Sequence, residues 1–163
     1  MKRLSILLVI FLMLLSGCSS TKSTNTTGAK ADGFIFANKG TSIAMNAEVA
    51  PILKSLGKEK DYFEADSCAF QGKEKTYTYS GFELHTYEKN KVDFVASIIF
   101  LDDSVSTKEG ISIASDINDV IKAYGDKYTE KSGTYIYEKG KSKLTFTVKD
   151  KKVSQIEYTA ISE

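Results

Sequence analysis

Two stretches of the chain carry the same hydrophobic spacing. In GTSIAMNAEVAPILKSLG, from Gly40, the residues Val49, Ile52, Leu53 and Leu56 fall at i, i+3, i+4 and i+7. In GISIASDINDVIKAYG, from Gly110, Ile117, Val120, Ile121 and Tyr124 do the same, at a constant offset of 68. Each set lines one side of a 3.6-residue spiral, so each stretch predicts a short amphipathic helix. Gly57 and Gly125 follow where a helix end needs a residue that tolerates positive φ. Ser115 is the expected N-cap of the second helix, with Asp116 and Asp119 near its positive end. Asn46 is the expected cap of the first, where Pro51 sits at the limit of the first turn.

Elsewhere the period drops to two. Thr134–Glu138, Lys143–Val148 and Val153–Thr159 read as strands, with turns at Lys139-Gly140 and Lys149-Asp150-Lys151. Leu144, Phe146 and Val148 share one face against Thr145 and Thr147, and Ile156 and Tyr158 oppose Gln155 and Glu157. Earlier, Phe82 and Leu84 oppose Glu83, His85 and Tyr87, before a Lys89-Asn90-Lys91 turn. Such alternation marks antiparallel sheet with one face covered and one in water. Tyr77-Thr78-Tyr79 matches Tyr135-Ile136-Tyr137, and VASIIF from Val95 matches VSQIEY from Val153, both at an offset of 58. The fall from 68 to 58 places about ten extra residues between Gly57 and Tyr77, in the segment that holds Cys68. The expected fold is α+β: two tandem repeats, residues 34–103 and 104–163, each a short helix packed on an antiparallel sheet of three to four strands.

The first 33 residues fit neither period. MKR precedes the apolar run Leu4–Leu15, which is too short for a membrane span and reads as an export signal. Leu15-Ser16-Gly17-Cys18 resembles the bacterial lipobox, which implies cleavage between Gly17 and Cys18 and a diacylglycerol thioether, with further acylation, on Cys18. Residues 1–17 are then the signal peptide and 18–33 a lipidated cysteine and polar tether, SSTKSTNTTGAKADG, with no large apolar residue to repay ordering. About 15 such residues span on the order of 20 Å. More than one acyl chain holds a protein durably to a bilayer. The expected location is the outer face of the bacterial cytoplasmic membrane.

Charge narrows the partners. Removal of Lys2 and Arg3 with the signal leaves 20 basic against 21 acidic residues, and no arginine at all. A near-neutral chain without arginine has neither the basic field nor the bidentate fork of a nucleic-acid binder.

The two helix-glycine motifs, VAPILKSLG and INDVIKAYG, with their strands VASIIF and VSQIEY, resemble the beta-lactamase inhibitor protein fold. They also resemble the small outer-membrane assembly lipoproteins, which have one such unit. The likeness implies a sheet face that grips a partner protein. The whole chain further resembles an uncharacterised group of Gram-positive lipoproteins, which implies no activity.

Catalytic chemistry is sparse. His85 is the only histidine and Cys68 the only cysteine besides Cys18. With Cys18 lipidated, Cys68 has no partner for an internal disulfide, and Ala69-Phe70 beside it favours burial as a small hydrophobe. A Cys68 nucleophile with a His85 base is the enzymatic alternative. No metal-ligand spacing and no cofactor motif is present, and Asp102-Asp103 reads as a solvated turn. The expected function is a non-catalytic binding module for an extracytoplasmic protein or wall polymer, with an envelope assembly lipoprotein as the alternative. The candidate surface comprises Cys68, Phe70, Glu83, His85, Tyr87, Thr145, Thr147, Gln155 and Glu157. The paired tyrosines read as rings packed under the helices with hydroxyls at the rim, in preference to a binding platform.

Overall fold

The computed structural model describes residues 32–67 and 72–161. A hairpin comes first, β1 (Ile35–Asn38) with β2 (Thr41–Ala44), followed by α1 (Val49–Leu56). Strands β3 (Asp61–Asp66), β4 (Lys73–Tyr79), β5 (Phe82–Lys89) and β6 (Val92–Phe100) come next. After α2 (Ile117–Tyr124) the chain runs through β7 (Thr129–Lys131), β8 (Thr134–Lys139), β9 (Ser142–Lys149) and β10 (Lys152–Ala160).

The helices stand where the apolar spacing places them, and Gly57 (φ 77°) and Gly125 (φ 86°) end them. The caps differ from expectation. Asp116, not Ser115, caps α2, accepting from the Asn118 amide, and this bond holds its carboxyl below the usual range. Glu48 precedes α1 without a side-chain cap bond, while Asn46 takes a positive φ of 62° and binds the Lys141 carbonyl.

The fold class departs from expectation. The described residues are mostly β, with 54% in strand and 13% in helix, and do not form two tandem helix-plus-sheet units. All eight strands from β3 onward form one antiparallel sheet, ordered β3-β4-β5-β6-β10-β9-β8-β7. The seam is β6 against β10, with Ile99 opposite Glu157, Ile98 opposite Tyr158 and Ser97 opposite Thr159. Ile98 and Tyr158 are both buried, so two separate sheets would each expose a long apolar edge there. Merging the edges removes both.

Two bulges shape the seam. Ala96 is the extra residue in β6 and Ser154 in β10, as the register jumps show. They explain why Val95 and Ile98, and likewise Val153 and Ile156, both face inward although three residues apart. Beyond each bulge the edge is taken by the segment leading into a helix. Val95 N–H donates to Ala47 O at 2.9 Å and Val153 N–H to Ser115 O at 2.9 Å. These segments turn on Asn46 and on Ala114 (φ 69°). Asn visits the left-handed region readily, whereas Ala is strained there. Ala114→Asn is therefore expected to stabilise the protein by about 0.5–1 kcal/mol, read as a higher urea midpoint at constant slope. A lower midpoint would show that the strain lies elsewhere.

One sheet face is covered by the hairpin and both helices. Phe36 lies at its middle, fully buried, with ring centroids of Phe82 at 5.0 Å, Phe100 at 5.1 Å and Tyr158 at 5.9 Å. Asp32 and Gly33, assigned to the tether by sequence, are pinned to the β8–β9 turn. Lys141 N–H donates to Asp32 O, and Gly33 pairs with Gly140.

The paired tyrosines sit at the helix ends. The Tyr79 hydroxyl donates to Gly57 O at 3.3 Å and that of Tyr137 to Gly125 O at 3.0 Å. Burial pushes the Tyr137 hydroxyl up to about 12 and raises Tyr124 and Tyr158 in the same direction. The fold thus favours the neutral phenols. That contribution is complete below the unfolded value of about 10 and is lost as pH rises through the folded values. Unfolding above pH 10 is expected to coincide with tyrosinate absorbance. Tyrosines that all ionise near pH 10 in folded protein would contradict it.

Candidate functional site

Among the described residues no helix lies over the second sheet face, and strand register decides what gathers there. One row across the sheet runs Thr78, Glu83, Ile99, Glu157, Thr145 and Ile136. The next runs Phe63, Thr76, His85, Ser97, Thr159 and Lys143. A third pairs Gln155 with Thr147 and Thr147 with Thr134. The surface is therefore made of hydroxyls, carboxylates, one imidazole, the Lys143 ammonium, the Gln155 amide and β-branched methyl groups, mostly half-buried, with the Phe63 ring at one end.

A short hydrogen-bonded chain orders its first half. His85 Nε2 lies 3.2 Å from Glu83 Oε2, and His85 Nδ1 lies 3.1 Å from the Thr76 hydroxyl. The Thr78 hydroxyl reaches the other Glu83 oxygen at 3.5 Å. His85 is thereby held between strands β4 and β5 as a fixed polar group. In the second half Lys143 pairs with Glu138 at 3.2 Å. Glu83 and Glu157 flank Ile99 from opposite sides, so their backbones stand two strand spacings apart, about 9–10 Å.

The extra residues of the first half lengthen the β3–β4 hairpin. β3 has 6 residues where its counterpart β7 has 3. β3 is an edge strand, and its Phe63 is 65% exposed on the same face as Thr76. The polar rows thus end in an uncovered ring.

Of the residues expected to form a surface, Glu83, His85, Thr145, Thr147, Gln155 and Glu157 share this face. Tyr87 serves a different purpose: its ring stacks on Phe94 at 5.7 Å and its hydroxyl donates to Asn46 at 3.0 Å, bracing the entry to α1. Cys68 and Phe70 lie outside the described residues, as do Gly17 and Cys18. Thr76, Thr78, Ser97, Ile99, Lys143 and Thr159 were not singled out by sequence, although alternation marks most of them as outward. Only cross-strand register reveals which outward residues are neighbours. Phe63 has a sequence signal of its own, an aromatic residue inside the inserted segment.

Among the described residues no group of three or more His, Asp or Glu side chains converges as a metal site. The Ser104 hydroxyl, and then the Ser104 amide at 2.9 Å, hold the Asp102 carboxyl below its usual range. Among the described residues no helix is long and apolar enough to cross a membrane.

No known family, curated protein or solved structure matches the chain. The functional conclusion therefore rests on the geometry of this face and on the sequence that precedes the fold.

Proposed function

We propose that the protein is a lipid-anchored, extracytoplasmic binding module that engages a protein or wall polymer through the open face of its sheet. The observation that carries this reading is the asymmetry of the sheet. One face is sealed by two helices and a hairpin, while the other presents ordered rows of polar groups around Ile99 with Phe63 at the margin. Short hydroxyl side chains on a rigid sheet lose little entropy on binding, and an uncovered ring supplies apolar area beside them. The export signal and Leu15-Ser16-Gly17-Cys18 supply the anchor.

A photo-crosslinking residue placed at Thr145 or Thr159 on intact cells tests the surface, with the same residue at Lys54 on the outer side of α1 as control. A discrete adduct from the sheet positions alone is the expected result. Equal adducts from Lys54, or none from the sheet, would remove the surface from consideration. Cys18→Ala is expected to move the protein out of the membrane fraction, and mass spectrometry of the wild type to find Cys18 acylated. An unmodified Cys18 on membrane-bound protein contradicts the anchor.

A further inference from the structure

The two edges of the sheet are finished differently. β7 closes one with Thr129–Lys131, and a short strand carrying Glu130 and Lys131 resists further pairing. β3 closes the other with Asp61–Asp66, which is longer and exposed along its whole length. Among the described residues no strand pairs with the outer side of β3. Tyr62 and Phe63 stand next to each other there, 42% and 65% exposed. A long, apolar, uncovered edge is where a sheet accepts another strand.

Register shows which backbone groups that edge offers. Ser67 N–H donates to Gly72 O at 3.0 Å, in the same register that sets Asp61 against Thr78, Phe63 against Thr76 and Ala65 against Glu74. Hydrogen-bonded pairs alternate along an antiparallel ladder, so Asp61, Phe63 and Ala65 turn their amides toward β4, while Tyr62, Glu64 and Asp66 turn theirs outward. The Tyr62 amide agrees, donating to Asp61 Oδ1 at 3.0 Å.

Charge then selects the strand that fits. A second copy of β3, laid antiparallel about a twofold axis through Phe63, sets Tyr62 opposite Glu64 and Asp61 opposite Ala65, so no two like charges face each other. Tyr62 and Glu64 both offer outward backbone groups, so the ladder closes. Phe63 meets its own copy in a pair without hydrogen bonds, where Cα atoms come within about 4.5 Å and the rings touch. An axis through Glu64 would set that carboxylate against itself, and one through Ala65 would set it against Asp66. An axis through Tyr62 would pair only Asp61–Phe63.

We propose that β3 pairs with β3 of a second copy of this chain, centred on Phe63. The Tyr62 amide exchanges the Asp61 carboxylate for the Glu64 carbonyl of the other copy. The axis is perpendicular to the sheet, so both open faces lie on one side and join at the paired rings. β7 is too short to extend the sheet further, so assembly stops at two. The pairing depends neither on the lipid anchor nor on what the open face binds.

Two differently tagged full-length copies are co-expressed with benzoylphenylalanine in place of Phe63 and irradiated in intact cells. The expected product carries both tags, with the crosslink mapped to β3 of the other copy. The same photo-reactive residue in place of Glu130 on β7 is the control. Glu64→Pro removes an outward amide that β4 does not use, a change an edge strand tolerates, and should lower the adduct about tenfold or more. Its thermal melt in a neutral detergent extract should stay within a few degrees of wild type, which separates loss of pairing from loss of fold. Phe63→Lys, at a mostly exposed side chain, sets two ammonium groups opposite each other and should abolish co-capture of the two tags without a crosslinker. An equal adduct from the Glu130 position, an unchanged adduct in Glu64→Pro, or an adduct with a different protein in place of the second tag would each overturn the proposal.

Discussion

Phe36→Ala is expected to destabilise the protein by about 3–5 kcal/mol, the range for emptying a large aromatic site in a core. The ring is fully buried and touches both halves of the sheet: Phe82 and Phe100 on β5 and β6, and Tyr158 on β10. Truncation would leave a cavity over the β6–β10 seam, walled by aromatic rings whose backbones are fixed in the sheet and cannot collapse inward. Domains of this size are typically stable by only about 5–15 kcal/mol, so the variant should stand close to unfolding at room temperature. Equilibrium urea denaturation measures the loss. Phe36→Leu, which keeps most of the volume, should cost about 1–2 kcal/mol. A loss under about 1 kcal/mol for the alanine variant would mean that the hairpin is not part of the cooperative core.

Gly81→Ala is expected to cost about 2–4 kcal/mol, combining a strained backbone with overpacking. Gly81 closes the β4–β5 turn at a φ of 84°, and it is buried because the connection between the two halves presses on it. A Cβ there would collide with the Ser104 hydroxyl and come within 2.9 Å of Val105 Cγ1. Val105 is itself core, and the Leu101 amide is tied to Gly81 O at 2.8 Å, so the connection has little room to retreat. Gly110→Ala separates the two causes. It has a φ of 85° and nothing within 4 Å of the added carbon, so only the backbone strain of about 1 kcal/mol applies. Equal losses at both positions would show that the packing of residues 101–105 on the turn contributes nothing.

The two positions also mark how far the sequence could be read. The pattern of apolar residues placed both helices, because a stripe such as Ile117, Val120, Ile121 and Tyr124 has no other way to hide in water. Glycine placed their ends, because Gly57 and Gly125 take a backbone conformation that side chains resist. Strand alternation oriented Leu144, Phe146, Glu83 and His85. The N-caps were misplaced by one or two residues. Ser115 and Asp116 are both good capping residues, and Asn46 is drawn instead to Lys141, a residue 95 positions away.

Sequence failed where distant strands meet. The repeat at an offset of 58 marks two similar units but leaves open whether they share one sheet, because nothing local decides whether the last strand of each pairs with the other. Register between β6 and β10 depends on burying Ile98 and Tyr158 together, and a pattern of period two carries no information about which strand lies alongside. The bulges at Ala96 and Ser154 were hidden for a related reason. An inward pair three residues apart violates alternation until an extra residue is allowed.

The sequence alone determined both helices with their glycine ends and the inward and outward faces of the strands it marked, though not the β1–β2 hairpin or the edge strands β3 and β7. These follow from short-range geometry and from composition. Only the tertiary structure decided that eight strands form one sheet. It also set Glu83, Ile99 and Glu157 in one row and brought Phe63 to the margin of the next, beside Thr76 and His85. Those facts arise from contacts between residues tens of positions apart, where burial of shared apolar edges selects one pairing among many with equally good local patterns.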